Sequence, residues 1–518
     1  MNGSVNGKRM QGVFYGLNHT PGAGEGEIFD CGNLTADYFP LLAPRRRRGL
    51  FKTLTKANGL AGRDVLMWVD GTEFFYNGVK KGTVSDCHKD FYFIGPYVII
   101  WPDKAFYNIL LDSFGNLEES YLSGAGQISF CDGTYAGIAA KSNCIVTTGT
   151  AFAFELGDAI TISGCTDTKN NIVAIIREIS EDKKTLRFYE NTFHIASGTS
   201  FTEAGSITLA RKVPNMDFLC ENENRLWGCH GDDIFCCNLG NPKVWMDYDA
   251  LSTGSYSVGV GSAGDFTGCM NFGGYAIFTK EANIHKAYGT KPTDFKVLDS
   301  ATGGILSGCN KSCAIAGETL FYRSRAGICR YSGGYPYAID VALGEMSPRA
   351  CVGGSDGRKY YVSGLCEGKS VLLCYDTRTK TWLREDACLV TDFAYADGLY
   401  FLTGNEIWKV EGGNVGTLEG TVKSFAEFGD FYEGSPQRKG LAALQIRAEL
   451  ATGATLSAFV SYDGGAFVNI GTISGDKQMH KLPMVPRRCD FWRLRLEGVG
   501  DYKVYAIARE YSEGSDIH

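Results

Sequence analysis

The chain has 518 residues, too long for one ordinary domain, and its 44% hydrophobic and 21% charged content supplies a substantial core. Its 66 glycines, 27 Tyr and 31 Phe favour many short strands, while only 13 prolines argue against a proline-rich disordered chain. A formal charge of -7 excludes general attraction to nucleic acid or to anionic membranes.

The opening MNGSVNGKRMQGVFYG has no apolar export core, so no secretory signal is expected. No apolar run reaches the roughly 18 residues a spanning helix needs. The 18 cysteines are therefore expected to be reduced, small apolar residues of a chain made in a reducing cytoplasm. Residues 1–62 are glycine-rich with little alternation and read as an arm that needs a partner to order it. The run PRRRRG within it carries Arg45, Arg46, Arg47 and Arg48, either a solvated or subunit-facing basic loop or a phosphate contact.

From about residue 63, period-two alternation bounded by Gly, Asp and Asn turns replaces any helical period. VLMWVDGTEFFYNG reads as strand, Asp-Gly turn, strand, and DFYFIGPYVIIWPDKAFYNI repeats the pattern. Residues 120–212 break the rhythm with a compact series of strands, expected to be a small inserted β-barrel or sandwich. The hairpins return over 213–412, at NRLWGCHGDDIFCC, GYAIFTKEANIHKAYG, ETLFYRSRAGICRYSGG and SVLLCYDTRTKTW. Their starts lie about 40 to 50 residues apart, the length of a four-stranded blade. The expected fold is all-β: a degenerate β-propeller of about six or seven blades, split as 63–119 and 213–412 around the insertion. Long clean alternation over 413–518 predicts a terminal β-sandwich.

Several stretches mimic reaction or ligand sites. In CHGDDIFCC, alternation along paired strands sends neighbouring residues to opposite faces, so Cys229, His230, Cys236 and Cys237 cannot assemble a local tetrahedron; a hairpin turning at His230–Asp232 is predicted. Gly259, Gly261 and Gly264 fit G-x-G-x-x-G literally, but strand-like residues follow where a dinucleotide site needs a helix. EGKS at 367–370 lacks the leading glycine of a phosphate loop. SYDGGAF resembles most of an Asp-box, a turn staple of sialidase-like propellers, and Asp463–Gly465 suits a tight turn. Glycosidase chemistry needs two facing carboxylates, and the turn acids Asp232, Asp233, Asp356, Asp376 and Asp386 are each expected to be solvated turn residues. No H-E-x-x-H or nucleophile elbow is present. The sequence thus predicts no catalytic residue, no metal site and no cofactor.

Three segments carry a resemblance. GEIFDCGNLTADYFPLLAPRRRRG, ENRLWGCHGDDIFCCNLGNPKVW and LPMVPRRCDFWRLRLEGVGDYKVYAIAREYSEGS are similar to the opening segment, a propeller hairpin and the closing β-domain of bacteriophage tail-hub or nozzle (tail stabilisation) proteins, in particular those of phages and prophages of Gram-positive bacteria. The resemblance implies a non-enzymatic virion protein of the tail, assembled in the host cytoplasm. It implies a homo-oligomeric ring, usually a hexamer, below the portal and adaptor, offering a platform to tail fibre or needle proteins. Genomic DNA would leave through its channel. Candidate subunit or phosphate contacts are Arg45 to Arg48, with Arg487 and Arg488. Two other classes stay open: a carbohydrate-active or carbohydrate-binding propeller of the tailspike or sialidase type, and a bacterial surface or scaffolding propeller.

Overall fold

The computed structural model describes residues 5–195, 199–413, 415–434, 437–475, 477–484 and 487–513. Strands dominate, and the helical elements among the described residues are three short 3-10 turns. The chain forms two compact units. One holds the described residues of Met1–Gly71, Tyr76–Gly78 and Leu306–His518, and the other holds Thr72–Phe75 and Val79–Ile305.

The recurrent motif is a four-stranded meander in which each strand pairs with the next in sequence. It occurs over 57–83, 90–116, 218–259, 266–300, 314–338 and 352–386. A further sheet joins Asp392–Tyr395, Leu399–Thr403 and Glu406–Lys409, and is completed by Gly49–Thr53 from far upstream and by Thr417–Leu418. In the first unit, the leading strands Ala314–Ala316, Val352–Ser355, Asp392–Tyr395 and Ala57–Gly62 adjoin one another in that order. In the second unit, Asp90–Ile94, Phe218–Asn222 and Phe266–Phe272 do the same. Glycine permits this close approach. A Cβ on Gly354 would lie 2.3 Å from the Phe393 ring, and one on Gly62 would lie 2.4 Å from the Tyr395 carbonyl oxygen.

Apolar side chains fill the seams between neighbouring sheets. Leu219, Leu226 and Trp245 pack with Ile99 and Trp101, and Trp227 and Ile234 pack with Phe266 and Phe278. In the first unit, Tyr361 and Leu372 pack with Leu399 and Phe401. Burying each such side chain contributes about 1.5–3 kcal/mol.

The region 119–211 of the second unit has its own pair of sheets. One orders Glu119–Leu122, Thr208–Arg211, Ala159–Ser163 and Val173–Ile175. The other orders Glu178–Ile179, Thr185–Phe188, Ile138–Thr147, Ile128–Tyr135 and Ser200–Thr202. Both feed one apolar cluster that includes Phe130, Ile145, Phe152, Ile160 and Phe188.

The N-terminal segment finds its pairing partners inside its own chain. Val5–Gln11 runs antiparallel to Tyr502–Glu513, which also pairs with Lys439–Leu450. Glu27–Gly32 pairs with Lys423–Phe428, which pairs with Trp492–Val499. The expected partner-dependent arm therefore obtains backbone hydrogen bonds both locally, as between Leu34–Thr35 and Ala43–Pro44, and from strands hundreds of residues away in the same chain.

Candidate functional site

The four consecutive arginines lie between strands Ala43–Pro44 and Gly49–Thr53. Arg48 is 5% exposed, and its guanidinium reaches Glu385 Oε2 through Nη2 and Asp386 Oδ2 through Nη1, each at 2.6 Å. It also lies 5.1 Å from the centre of the Phe401 ring. Burial alone would lower its pKa, but Glu385 and Asp386 reverse that and hold the guanidinium above its ordinary range. Arg45, 7% exposed, forks onto Glu419: Nη2 meets Oε2 at 3.1 Å and Nη1 meets Oε1. Its Nε donates to Asn33 Oδ1 at 2.8 Å, and the Arg48 amide donates to Glu419 Oε1 at 2.8 Å. Two buried arginines and three carboxylates therefore make one hydrogen-bonded network, with the bidentate geometry that arginine favours.

The other two arginines are exposed. Arg46 pairs with Glu411 at 3.0 Å, and Glu411 raises its pKa. Arg47 Nε donates to the Glu419 carbonyl oxygen at 2.8 Å. The group is thus turned towards carboxylates of its own unit. Arg487 and Arg488 lie elsewhere in the unit and are exposed. The Arg487 guanidinium is 5.6 Å from the Tyr462 ring centre, and Arg488 belongs to strand Arg488–Cys489, paired with Lys439–Gly440.

Asn33, Glu385 and Asp386 also form one wall of a cleft of about 830 Å³, together with Arg384, Lys423 and Phe425. Arg384 and Arg495 lie 5.5 and 4.7 Å from the Phe425 ring centre. Arg384 Nη2 pairs with Asp30 at 2.9 Å, and its Nε donates to the Cys31 carbonyl oxygen at 2.6 Å. Burial raises the Asp30 carboxyl, opposed by Arg384. Glu385 and Asp386 are each tied to the Arg48 guanidinium. This wall is chemically suited to anchoring arginine.

The stretches that mimic sites resolve into strand and turn. Arg225–His230 and Asp233–Cys236 form an antiparallel hairpin, with Gly231 at a φ of 58° in the turn. Cys229, Cys236 and Cys237 are buried while His230 is exposed, its ring nitrogen 3.0 Å from Asp217. Burial pushes the Cys237 thiol up to about 12, and its sulfur accepts from the Leu226 amide at 3.0 Å. Among the described residues no group of three or more His, Cys, Asp or Glu side chains is placed to hold a metal ion. Gly259, Gly261 and Gly264 link strands Tyr256–Gly259 and Phe266–Phe272. Glu367 and Gly368 turn the hairpin between Lys359–Cys366 and Lys369–Asp376. Asp463 sits in a tight turn closed by the Gly465 amide donating to the Tyr462 carbonyl oxygen, and its carboxylate ties that turn to a distant segment by accepting from the Asp490 amide at 2.7 Å. Asp376 staples its own turn by accepting from the amides of Arg378 and Thr379 at 2.9 and 3.2 Å.

A second charged centre was not anticipated from the sequence. Arg509 is 1% exposed and its Nε lies 3.0 Å from Oε1 of the fully buried Glu433. Trp492 Nε1 donates to the same Oε1 at 3.2 Å, and the guanidinium lies 4.3 Å from the Phe431 ring centre. The only prior sign was a single arginine in phase with Ile507 on the inward side of a strand.

No protein-family model matches the chain, and no curated protein matches it. Among solved structures it is similar to the phage phi92 endosialidase, at 9% identity over 73% of this chain and 68% of that one, with a TM-score of 0.24. It is similar to Kluyveromyces lactis Hsv2 at 8% identity over 64% and 97%, with a TM-score of 0.27. It is also similar to an exo-beta-1,3-galactanase from Phanerochaete chrysosporium at 10% identity over 55% and 94%, with a TM-score of 0.20. Likenesses this loose carry no argument about fold or function.

Proposed function

We propose that the four-stranded meanders are blades of a β-propeller and that the protein is a ring-forming structural subunit of a phage tail hub or nozzle. The observation that carries this reading is where the family-like segments fall. The first contributes strand Glu27–Gly32 and the third contributes Trp492–Val499, and both flank Lys423–Phe428 in one six-stranded sheet. Two segments that resemble the ends of one protein family thus fold as a single module, as a shared architecture requires.

The charged network supports a structural role. Arg45 and Arg48 bind the 43–53 segment to Glu385, Asp386 and Glu419, so the basic run works as an internal clasp. Arg487 and Arg488 are exposed and would face a neighbour in the ring. Closed cyclic symmetry then generates a channel, and an acidic chain lining it would repel phosphate and let DNA slide.

The test is imaging of the purified chain alone and after mixing with the portal and adaptor of its own virion. Sixfold rings below the adaptor are expected. Failure to dock on that complex, or cleavage of host-wall glycans by the isolated chain, would overturn the reading.

A further inference from the structure

We infer that Cys220 and Cys269 form a latent cross-link, closing to a disulfide when the protein passes from reducing to oxidising surroundings. Cys220 lies on strand Phe218–Asn222 and Cys269 on strand Phe266–Phe272, the leading strands of two neighbouring meanders in the second unit. The Cys269 thiol donates to Cys220 Sγ at 3.0 Å, about 1 Å beyond a disulfide bond. Both strands are fixed by their own pairing, Phe218–Asn222 against Arg225–His230 and Phe266–Phe272 against Tyr275–Lys280. The sulfurs are therefore held together by two independent sheets, with Trp227, Phe266 and Phe278 packed in the same cluster.

The chemistry balances with a low-molecular-weight disulfide such as oxidised glutathione as the oxidant. Cys269 is the more exposed of the two, with Cys220 only 6% exposed. The Cys269 thiolate attacks one glutathione sulfur, releasing one reduced glutathione and leaving a mixed disulfide. The Cys220 thiolate then attacks the Cys269 sulfur and releases the second. Two S–H bonds are lost, one protein S–S bond forms, and the reagent is reduced. The closed loop spans about fifty residues, so the bond would restrict the unfolded chain and tie two sheets at their leading strands.

The experiment is native incubation of the full chain with oxidised glutathione, followed by blocking of free thiols and non-reducing peptide mapping. A peptide joining Cys220 to Cys269, about 2 Da lighter than its reduced halves, is expected, together with an upward shift in Tm that a reductant removes. Closure should be faster at pH 9 than at pH 7, because burial and the contact with Cys220 raise the Cys269 thiol. Cys220→Ser should stop at the glutathione adduct on Cys269. If that variant does not fold, the wild-type map decides alone. Mapping is required because Cys87 is exposed and hydrogen bonds from Lys89 and Ser85 lower its pKa, which makes it a competing site for glutathione. Adducts on Cys87 with Cys220 and Cys269 both still blockable would overturn the inference. So would a Cys220–Cys269 link seen only after denaturation, or one confined to another pair such as Cys131 and Cys144.

Discussion

The region 119–211 and the terminal sheets of the first unit are both built from paired strands, yet their interiors differ in kind. The former packs Phe130, Ile145, Phe152 and Phe188 into a hydrocarbon core, with Arg211 paired to Asp158 at 2.6 Å as a deep ion pair among its described residues. The latter buries Arg509 against Glu433 beneath Phe431 and Trp492. Non-directional apolar burial can be assembled by many arrangements of similar volume, whereas a buried ion pair is satisfied by very few. The contrast teaches that stability and specificity are supplied by different residues in the two regions.

The sharpest way to break this contrast is to remove one charge from the terminal core. Arg509→Leu leaves the buried Glu433 with only the more distant Arg9, at 3.8 Å, as a cationic partner and should lower stability by about 3 kcal/mol, read from urea unfolding. Replacing both partners together should recover much of that loss. A smaller effect is expected from Asp37→Asn. Burial would raise the Asp37 carboxyl, but Lys359 and Arg358 more than offset it and hold it well below the usual carboxylate range. Its contribution is therefore present above the unfolded pKa of about 4 and fades only as pH falls through the lower folded value. Unfolding at pH 7 should show a loss of about 1.5–3 kcal/mol in the variant, and that gap should narrow only below about pH 4. On the apolar side, Ile145→Val should cost about 1 kcal/mol by the same assay. Arg46→Ala, at an exposed pair with Glu411, should change stability by less than about 1 kcal/mol, a difference further reduced by salt.

Much of the strand content was legible because alternation is a local signal. The hairpin at Arg225–Cys236 and the tight turn at Asp463–Gly465 follow from residues within about ten positions of one another, and the strands of 119–211 from alternation along each, although its sheets join Glu119–Leu122 to Thr208–Arg211. The strands Val5–Gln11 and Glu27–Gly32 were not legible, because their glycines blur alternation and their partners lie near the opposite end of the chain. The site divides the same way. Arg45 to Arg48 stand out as a charge run, but Glu385, Asp386 and Glu419 are scattered acids until folding brings them to the guanidinium groups. Arg509 was hidden by a break in phase, since the pairing register slips between Val504 and Ala506.

The pairing of Val5–Gln11 with Tyr502–Glu513 also dictates an order of events on the ribosome. The early strand emerges hundreds of codons before its mate, so its backbone must wait in water while 119–211, whose strands all pair within that stretch, condenses first. The ladder between Val5–Gln11 and Tyr502–Glu513 can therefore zip only after the later strand has been made.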